Sequence, residues 1–274
     1  MEPQSLKEAL KWKLTGAELE RLPRAFEIVG GIALFSDFPD ELSRRERIIA
    51  KTLLETHKNI KTVAKKSGER TGIYRTKKVT IMGGEDTTMT MHTESGVHLI
   101  IDVEAAYFSP RMSNERLRIA RQVKKGEDVL VLFSGVAPYP LVIAKNAKPR
   151  SVVGVEKNPK AHKLAKDNVR LNKLESKIEL VKGDVQEVKL KGRRFDRVVM
   201  PFPGGGENFL GVALNQAKKS AMIHLYMFVD KDHFPKNVKE RIPKKSKRVK
   251  IVKIVHCGDS SPSTMRVCAD LKVK

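Results

Sequence analysis

Glu156 directly follows the apolar run 152–155 and stands 21 residues after Gly135. A carboxylate at the end of a buried strand accepts hydrogen bonds from both hydroxyls of a ribose. An exposed turn charge is the plainer reading of the same residue. Upstream, Phe133-Ser134-Gly135-Val136-Ala137-Pro138 closes another apolar run. Small residues there admit a ligand close to the backbone, and the helix start that follows offers free N–H groups to a carboxylate. Gly183-Asp184-Val185 closes a third run, placing Asp184 to accept from the exocyclic amine of adenine. Lys157-Asn158-Pro159 reads as a helix entry, Asn158 as cap and Pro159 at the first helical position. The chain carries neither a Walker-type phosphate loop nor a dinucleotide glycine triplet. An adenosyl cofactor without phosphates fits this set, which makes S-adenosyl-L-methionine the expected cofactor and leaves no role for a metal.

Such loops need strands whose carboxyl ends lie side by side. From residue 113 onward the pattern supplies them: a helix over 114–123, then strands at 129–133, 151–155, 178–181, 197–200 and 221–227, with helices from Tyr139 and over 159–171. Apolar runs without alternation are buried on both faces, as a parallel sheet flanked by helices requires. Two last strand patterns, 247–255 and 264–273, read as an antiparallel hairpin closing the sheet. Before residue 105 the texture differs. Strands at 27–34, 77–82, 87–93 and 97–103 surround one amphipathic helix, 40–57, and Gly83-Gly84 and Ser95-Gly96 suggest a three-strand meander. The expected fold is therefore α/β: a Rossmann-like class I methyltransferase domain with a mostly parallel seven-stranded sheet over 105–274, preceded by a small α+β domain over 1–104.

The charge points to a polyanionic partner. Lys and Arg number 54 against 32 Asp and Glu, a net charge of +22. A Lys- and Glu-rich heat-adapted surface would explain many charges, but not their excess of one sign. Between residues 236 and 253 stand nine basic residues against Glu240 alone, and Lys244, Lys245 and Arg248 within that stretch suit phosphate contacts. Cys257 and Cys268 lack metal-ligand spacing and suit a reducing cytoplasm as small hydrophobes. No run approaches the ~20 apolar residues of a membrane span, and the first residues lack a signal-peptide core. A cytoplasmic monomer is expected.

Several motifs together resemble the archaeal and eukaryotic tRNA guanine-N1 methyltransferases that act at position 37. They are Tyr107-Phe108-Ser109-Pro110-Arg111 with Asn114-Glu115-Arg116, Gly135-Val136-Ala137-Pro138, Glu156-Lys157-Asn158-Pro159, Asn168 to Lys173 and Gly183-Asp184-Val185. Val198 to Pro203 resembles the family's target-base loop, ahead of Glu207-Asn208-Phe209-Leu210, and Gly72 to Thr76 its Gly-x-x-Arg element. The chain departs from the family pattern at Val131, Ala137 and Pro201, the last standing where an Asn is usual.

The resemblance implies that tRNA is the partner and that N1 of guanine 37 receives a methyl group. That nitrogen carries a proton, so a base must remove it while a cation offsets charge growing on O6. On the family motifs, Glu115 is the base, Arg75 stabilises O6 and Arg111 orders the same pocket. Glu115 also reads as an acidic residue at a helix start, where such residues are favoured anyway. Tyr107, Arg111, Phe133, Gly135, Glu156, Lys157, Asp184, Val185 and Pro201 would hold the cofactor. Pro201, Phe202 and Pro203 would meet the target base, with Phe202 either stacking on it or filling the core. Two other activities fit the same residues: transfer of the cofactor's aminocarboxypropyl arm in wybutosine synthesis, and RNA binding without catalysis on the same fold.

Overall fold

The computed structural model describes residues 5–71, 76–190 and 192–274. They form two compact units, one of Met1–Thr93 and His98–Pro110, the other of Glu94–Val97 and Arg111–Lys274.

The first unit opens with α1 (Leu6–Leu10) and α2 (Gly16–Arg21). Neither is among the expected elements, although capping boxes mark both starts. Ser5 and Thr15 accept from the amides of Glu8 and Glu18, whose carboxylates take the cap's own amide in return. The expected strand 27–34 is a hairpin, β1 (Glu27–Val29) and β2 (Ile32–Phe35), folded at Gly30-Gly31. The expected helix 40–57 is a 3-10 segment, Asp40–Arg45, running into α3 (Glu46–Thr56). Leu42, Ile49 and Leu53 pack with Leu10, Phe35 and Val63, and each such fully buried side chain contributes ~1.5–3 kcal/mol.

β3 (Thr62–Thr71) lies parallel to β2, and β4 (Thr76–Gly84) antiparallel to β3, giving the order β1-β2-β3-β4. The structure corrects the meander. Among the described residues β4 pairs with β3, while β5 (Met89–Glu94) and β6 (Val97–Asp102) form a separate two-stranded sheet. Gly83-Gly84 supplies the reason. A Cβ on Gly84 would overlap the Lys61 carbonyl, and one on Gly83 would crowd Ala50 of α3. The pair of glycines lets β4 bulge against its neighbours instead of turning into a hairpin.

The second unit holds α4 (Ser113–Gln122), β7 (Asp128–Leu132), α5 (Pro138–Asn146), β8 (Ser151–Glu156), α6 (Pro159–Leu171) and β9 (Ile178–Lys182). It continues with β10 (Phe195–Met200), α7 (Leu210–Gln216), β11 (Ala217–Asp230), α8 (Lys236–Lys245), β12 (Val249–Asp259) and β13 (Thr264–Val273). Its seven-stranded sheet has the order β12-β13-β11-β10-β7-β8-β9. The five strands β7 to β11 run parallel, and β13 inserts antiparallel between β11 and β12. Every residue of β7 is buried, and Leu130, Val153, Val198, Ile223 and Leu271 carry one core across the sheet. The expected α/β architecture, with its closing hairpin, is present. Among the described residues no helix is long and apolar enough to cross a membrane.

Candidate cofactor and active site

After Leu132 the chain turns through a loop with three left-handed residues, Phe133 (φ 56), Gly135 (φ 57) and Ala137 (φ 68). For Phe133 and Ala137 that conformation costs about 1–2 kcal/mol each, so the surroundings must enforce it. Ser134 donates its amide to the Val155 carbonyl at 2.9 Å. Asn168 of α6, fully buried, donates Nδ2 to the Val136 carbonyl at 3.1 Å. Gly154 leaves the space: a Cβ there would stand 3.0 Å from both Ser134 Oγ and Leu180 Cδ2.

Glu156 completes the cradle. Its Oε2 accepts the Gly135 amide at 2.8 Å and its Oε1 the Asn158 amide at 2.7 Å. Burial pushes this carboxyl up, and the amides of Asn158, Gly135 and Lys157 pull it back without cancelling the shift. Both oxygens keep lone pairs for hydroxyl donors. The set suits the two hydroxyls of a ribose. Next to it, Lys157 Nζ reaches Asp184 at 2.8 Å, and that partner holds the Asp184 carboxyl below its ordinary value. Val185 is buried behind Asp184.

The loop after β10 closes over the same strand ends. Phe202 stacks on Phe133, with ring centroids 4.8 Å apart and planes at 27°, and Phe209 meets Phe133 edge-on at 5.1 Å. One face of Phe202 is thus committed to the loop after β7. Pro201 lies between Met200 and Phe202 in a tight turn, where the Phe202 amide donates to the Met200 carbonyl at 2.8 Å. The Pro203 carbonyl accepts the Phe228 amide at 3.1 Å, and a Cβ on Gly206 would come within 3.2 Å of the Tyr226 carbonyl. This glycine serves a close approach to β11.

Glu115 lies on the first turn of α4, 8% exposed. Arg118 donates to both its oxygens, Nε to Oε2 at 2.6 Å and Nη2 to Oε1 at 2.8 Å. The Tyr226 hydroxyl donates to Oε1 at 2.6 Å. The Tyr226 ring in turn lies 5.9 Å from that of Tyr139 on α5, the helix that follows the Phe133–Ala137 loop.

A family model described as the TRM5/TYW2 methyltransferase domain matches residues 90–255, more than half of the chain. The chain belongs to the TRM5/TYW2 methyltransferase family. A second model, the TYW2 N-terminal domain, matches residues 6–87. The chain is 36% identical over 212 residues to the tRNA (guanine(37)-N(1))-methyltransferase Trm5b of Pyrococcus abyssi, covering 77% of this chain and 62% of that protein. It therefore spans less than two thirds of that relative's length. To the tRNA(Phe) (4-demethylwyosine(37)-C(7)) aminocarboxypropyltransferase of Pyrococcus horikoshii it is 29% identical over 273 residues, covering 98% and 96%. The crystal structure of Pyrococcus abyssi Trm5b superposes with a TM-score of 0.89 at 31% identity, covering 100% of this chain and 82% of that one. That of Pyrococcus horikoshii TYW2 in complex with MeSAdo gives 0.81 at 27% identity, covering 98% and 97%.

Of the site residues singled out in the sequence, Gly135 and Glu156, Lys157 and Asp184, and Phe133 and Phe202 are brought into direct contact. Arg111 lies in the 3-10 turn Pro110–Met112 at the start of the second unit, and Tyr107 is exposed in the first. Arg75 lies outside the described residues. Lys244 and Lys245 end α8, and Arg248 precedes β12, all three exposed. Lys245 Nζ contacts Asn208 Oδ1 at 2.8 Å. Arg241, counted in the same basic stretch, is instead committed inside the unit to Glu207 and the Phe228 carbonyl. Sequence reasoning missed Arg118 and Tyr226. The first was within reach, since Glu115 and Arg118 stand at i and i+3 of a helix. The second was not: its contact with Glu115 spans 111 residues.

Proposed function

We propose that this protein transfers the methyl group of S-adenosyl-L-methionine to N1 of guanine 37 in tRNA. The observation that carries the reading is Glu115, a carboxylate fixed by three donors one aromatic pair away from the helix that follows the cofactor loop. N1 methylation requires such a proton acceptor. The cofactor is S-adenosyl-L-methionine, whose sulfonium supplies an electrophilic carbon. The chain's own residues do the rest. Glu156 receives the ribose hydroxyls, Asp184 the adenine amine, and the Gly135 loop the methionine end, with Tyr107, Arg111, Val185 and Pro201 completing the pocket. Pro201, Phe202 and Pro203 shape the place of the target base. Arg75 offsets charge on O6, and Arg111 orders the pocket around it. Residues 1–104 contact tRNA, and Lys244, Lys245 and Arg248 meet its phosphates.

Glu115→Gln keeps the size of the side chain and removes the base. Single-turnover transfer is expected to fall by ~10²–10⁴, with affinities for cofactor and tRNA nearly unchanged because the lost interaction belongs to the transition state. A near-normal rate would remove the assignment.

One observation favours a second reading, aminocarboxypropyl transfer. The aminocarboxypropyltransferase relative matches along 96% of its length, and residues 6–87 match a TYW2 N-terminal domain. The co-product separates the two. Methyl transfer leaves S-adenosylhomocysteine and a methylated guanosine, whereas the other transfer leaves 5′-methylthioadenosine and a tRNA carrying the larger group. Mass analysis of both products from unmodified and 4-demethylwyosine-bearing tRNA decides between them. Neither product would leave RNA binding alone.

A further inference from the structure

Behind Glu115 runs a buried polar chain that the activity above does not use. Arg118, besides holding Glu115, donates Nη1 to Asp270 Oδ2 at 2.7 Å. Asp270 Oδ1 faces His224 Nδ1 at 2.6 Å, and His224 Nε2 faces Arg197 Nη1 at 2.6 Å. Arg197 ends the chain on Glu127 at 2.9 Å and on the Gln122 carbonyl of α4 at 2.7 Å. His224 is fully buried, and Asp270 and Arg197 are each 3% exposed. Three strands, one helix and the segment before β7 thus contribute to a single connected line.

The bonding fixes each protonation state. An imidazole between a carboxylate and a guanidinium is satisfied only as the neutral ring, with its proton on Nδ1 and Nε2 accepting from Arg197. Burial pushes the His224 imidazole down, in the same sense, despite the pull of Asp270. Burial alone would push the Asp270 carboxyl up, but the bonds from His224 and Arg118 outweigh it and hold it well below the usual carboxylate range. Cysteine, histidine and aspartate at Cys268, His224 and Asp270 lie close enough together to hold a cation. Two guanidiniums already occupy the atoms a cation would need, so the cluster's chemistry is that of an ion-pair relay.

We propose that Asp270, Arg118 and Tyr226 are positioning residues that set the orientation and proton affinity of Glu115, with His224 and Arg197 holding Asp270 in place. This rests on the reading of Glu115 as the base. One guanidinium is shared by two carboxylates, Glu115 and Asp270, and the sharing fixes where the Glu115 carboxylate points. Asp270 therefore draws Arg118 away from Glu115, while Tyr226 stabilises the Glu115 anion. The other titratable groups facing Glu115 are Cys257 from β12, Cys268 from β13 and Tyr139 from α5. Burial pushes the Cys257 thiol up to about 12 and the remaining two well above their ordinary values, so all three are neutral groups beside Glu115.

Two substitutions displace Glu115 in opposite directions. Asp270→Asn hands Arg118 wholly to Glu115 and should move the midpoint of the pH–rate profile down. Tyr226→Phe removes a donor to the anion and should move it up. Each displacement is expected to be about one pH unit, the order of one charge-assisted hydrogen bond. Affinities for tRNA and cofactor should stay within about twofold. The same displacements should appear without any turnover in the carboxyl-carbon NMR titration of ¹³C-labelled Glu115, its signal identified by loss in Glu115→Gln. Midpoints unmoved in folded variants overturn the proposal. An NMR titration that moves as expected in a protein that methylates no tRNA supports the relay and removes only the base assignment. Should Asp270→Asn fail to fold, Tyr226→Phe, which keeps the ring, carries the test alone.

Discussion

At the scale of single residues, Glu156 has both a structural tie and an expected ligand. Its two oxygens accept backbone amides, and its burial raises the carboxyl. Glu156→Ala should weaken S-adenosylmethionine binding by ~1–3 kcal/mol, the range for losing hydrogen bonds to a charged acceptor. A pH dependence follows with a definite sign. The group is raised above 4.5, so it takes a proton at a higher pH than an ordinary glutamate. Protonation removes acceptor capacity, so wild-type affinity should decline as pH falls through that raised value, while Glu156→Ala shows no such decline. Calorimetry from neutral pH downward checks both, and parallel curves would place the ribose elsewhere. The place of Glu156 at a strand end was legible because it directly follows an unbroken apolar run; its ties to the Gly135 and Asn158 amides were not, since they depend on how the loops fold together. The deformation of Phe133 was not, since a left-handed aromatic is opposed by local preference and exists only because Val155 and Asn168 hold the loop.

At the scale of elements, α6 shows how a helix start positions a site. Asn158 caps it, its Oδ1 accepting the Lys160 amide at 3.0 Å and the Ala161 amide at 3.4 Å, while its own backbone amide points at Glu156. The two roles use different atoms and are separable. Asn158→Ala removes the cap and keeps the backbone amide. Urea unfolding should show a loss of ~1 kcal/mol, with cofactor affinity nearly constant; an equal loss of both would tie cap and ribose site together. Strands β7, β8 and β10 were legible because they are buried on both faces and read as unbroken apolar runs. β3 was not, because Lys65-Lys66-Ser67-Gly68 interrupts its second half with polar residues. α8 was hidden for a related reason: Pro243 and a dense lysine content mask a helix that buries only Val238 and Ile242. In both cases tertiary pairing decides what local sequence leaves open.

At the scale of the whole molecule, the governing quantity is the net charge of +22. Charge of that size attracts any polyanion, so affinity alone says little about a specific surface. The salt dependence says more, because each phosphate neutralised releases condensed counterions and steepens the slope of log affinity against log salt. The end of α8 and the segment leading into β12 concentrate exposed cations in Lys244, Lys245, Lys247 and Arg248. Arg241, turned inward to Glu207 and the Phe228 carbonyl, is left out of the set because its loss would test folding. Replacing the four by Gln should weaken tRNA binding and flatten the slope by ~0.7–0.9 for every phosphate contact removed. Cofactor affinity should not change, since none of the four touches the Gly135 loop or Glu156 among the contacts that hold them. Titrations with tRNA at several salt concentrations measure the slope directly. A variant that binds more weakly with an unaltered slope would mean that these cations act at a distance through the general field, and that the phosphates are held by another face of the protein.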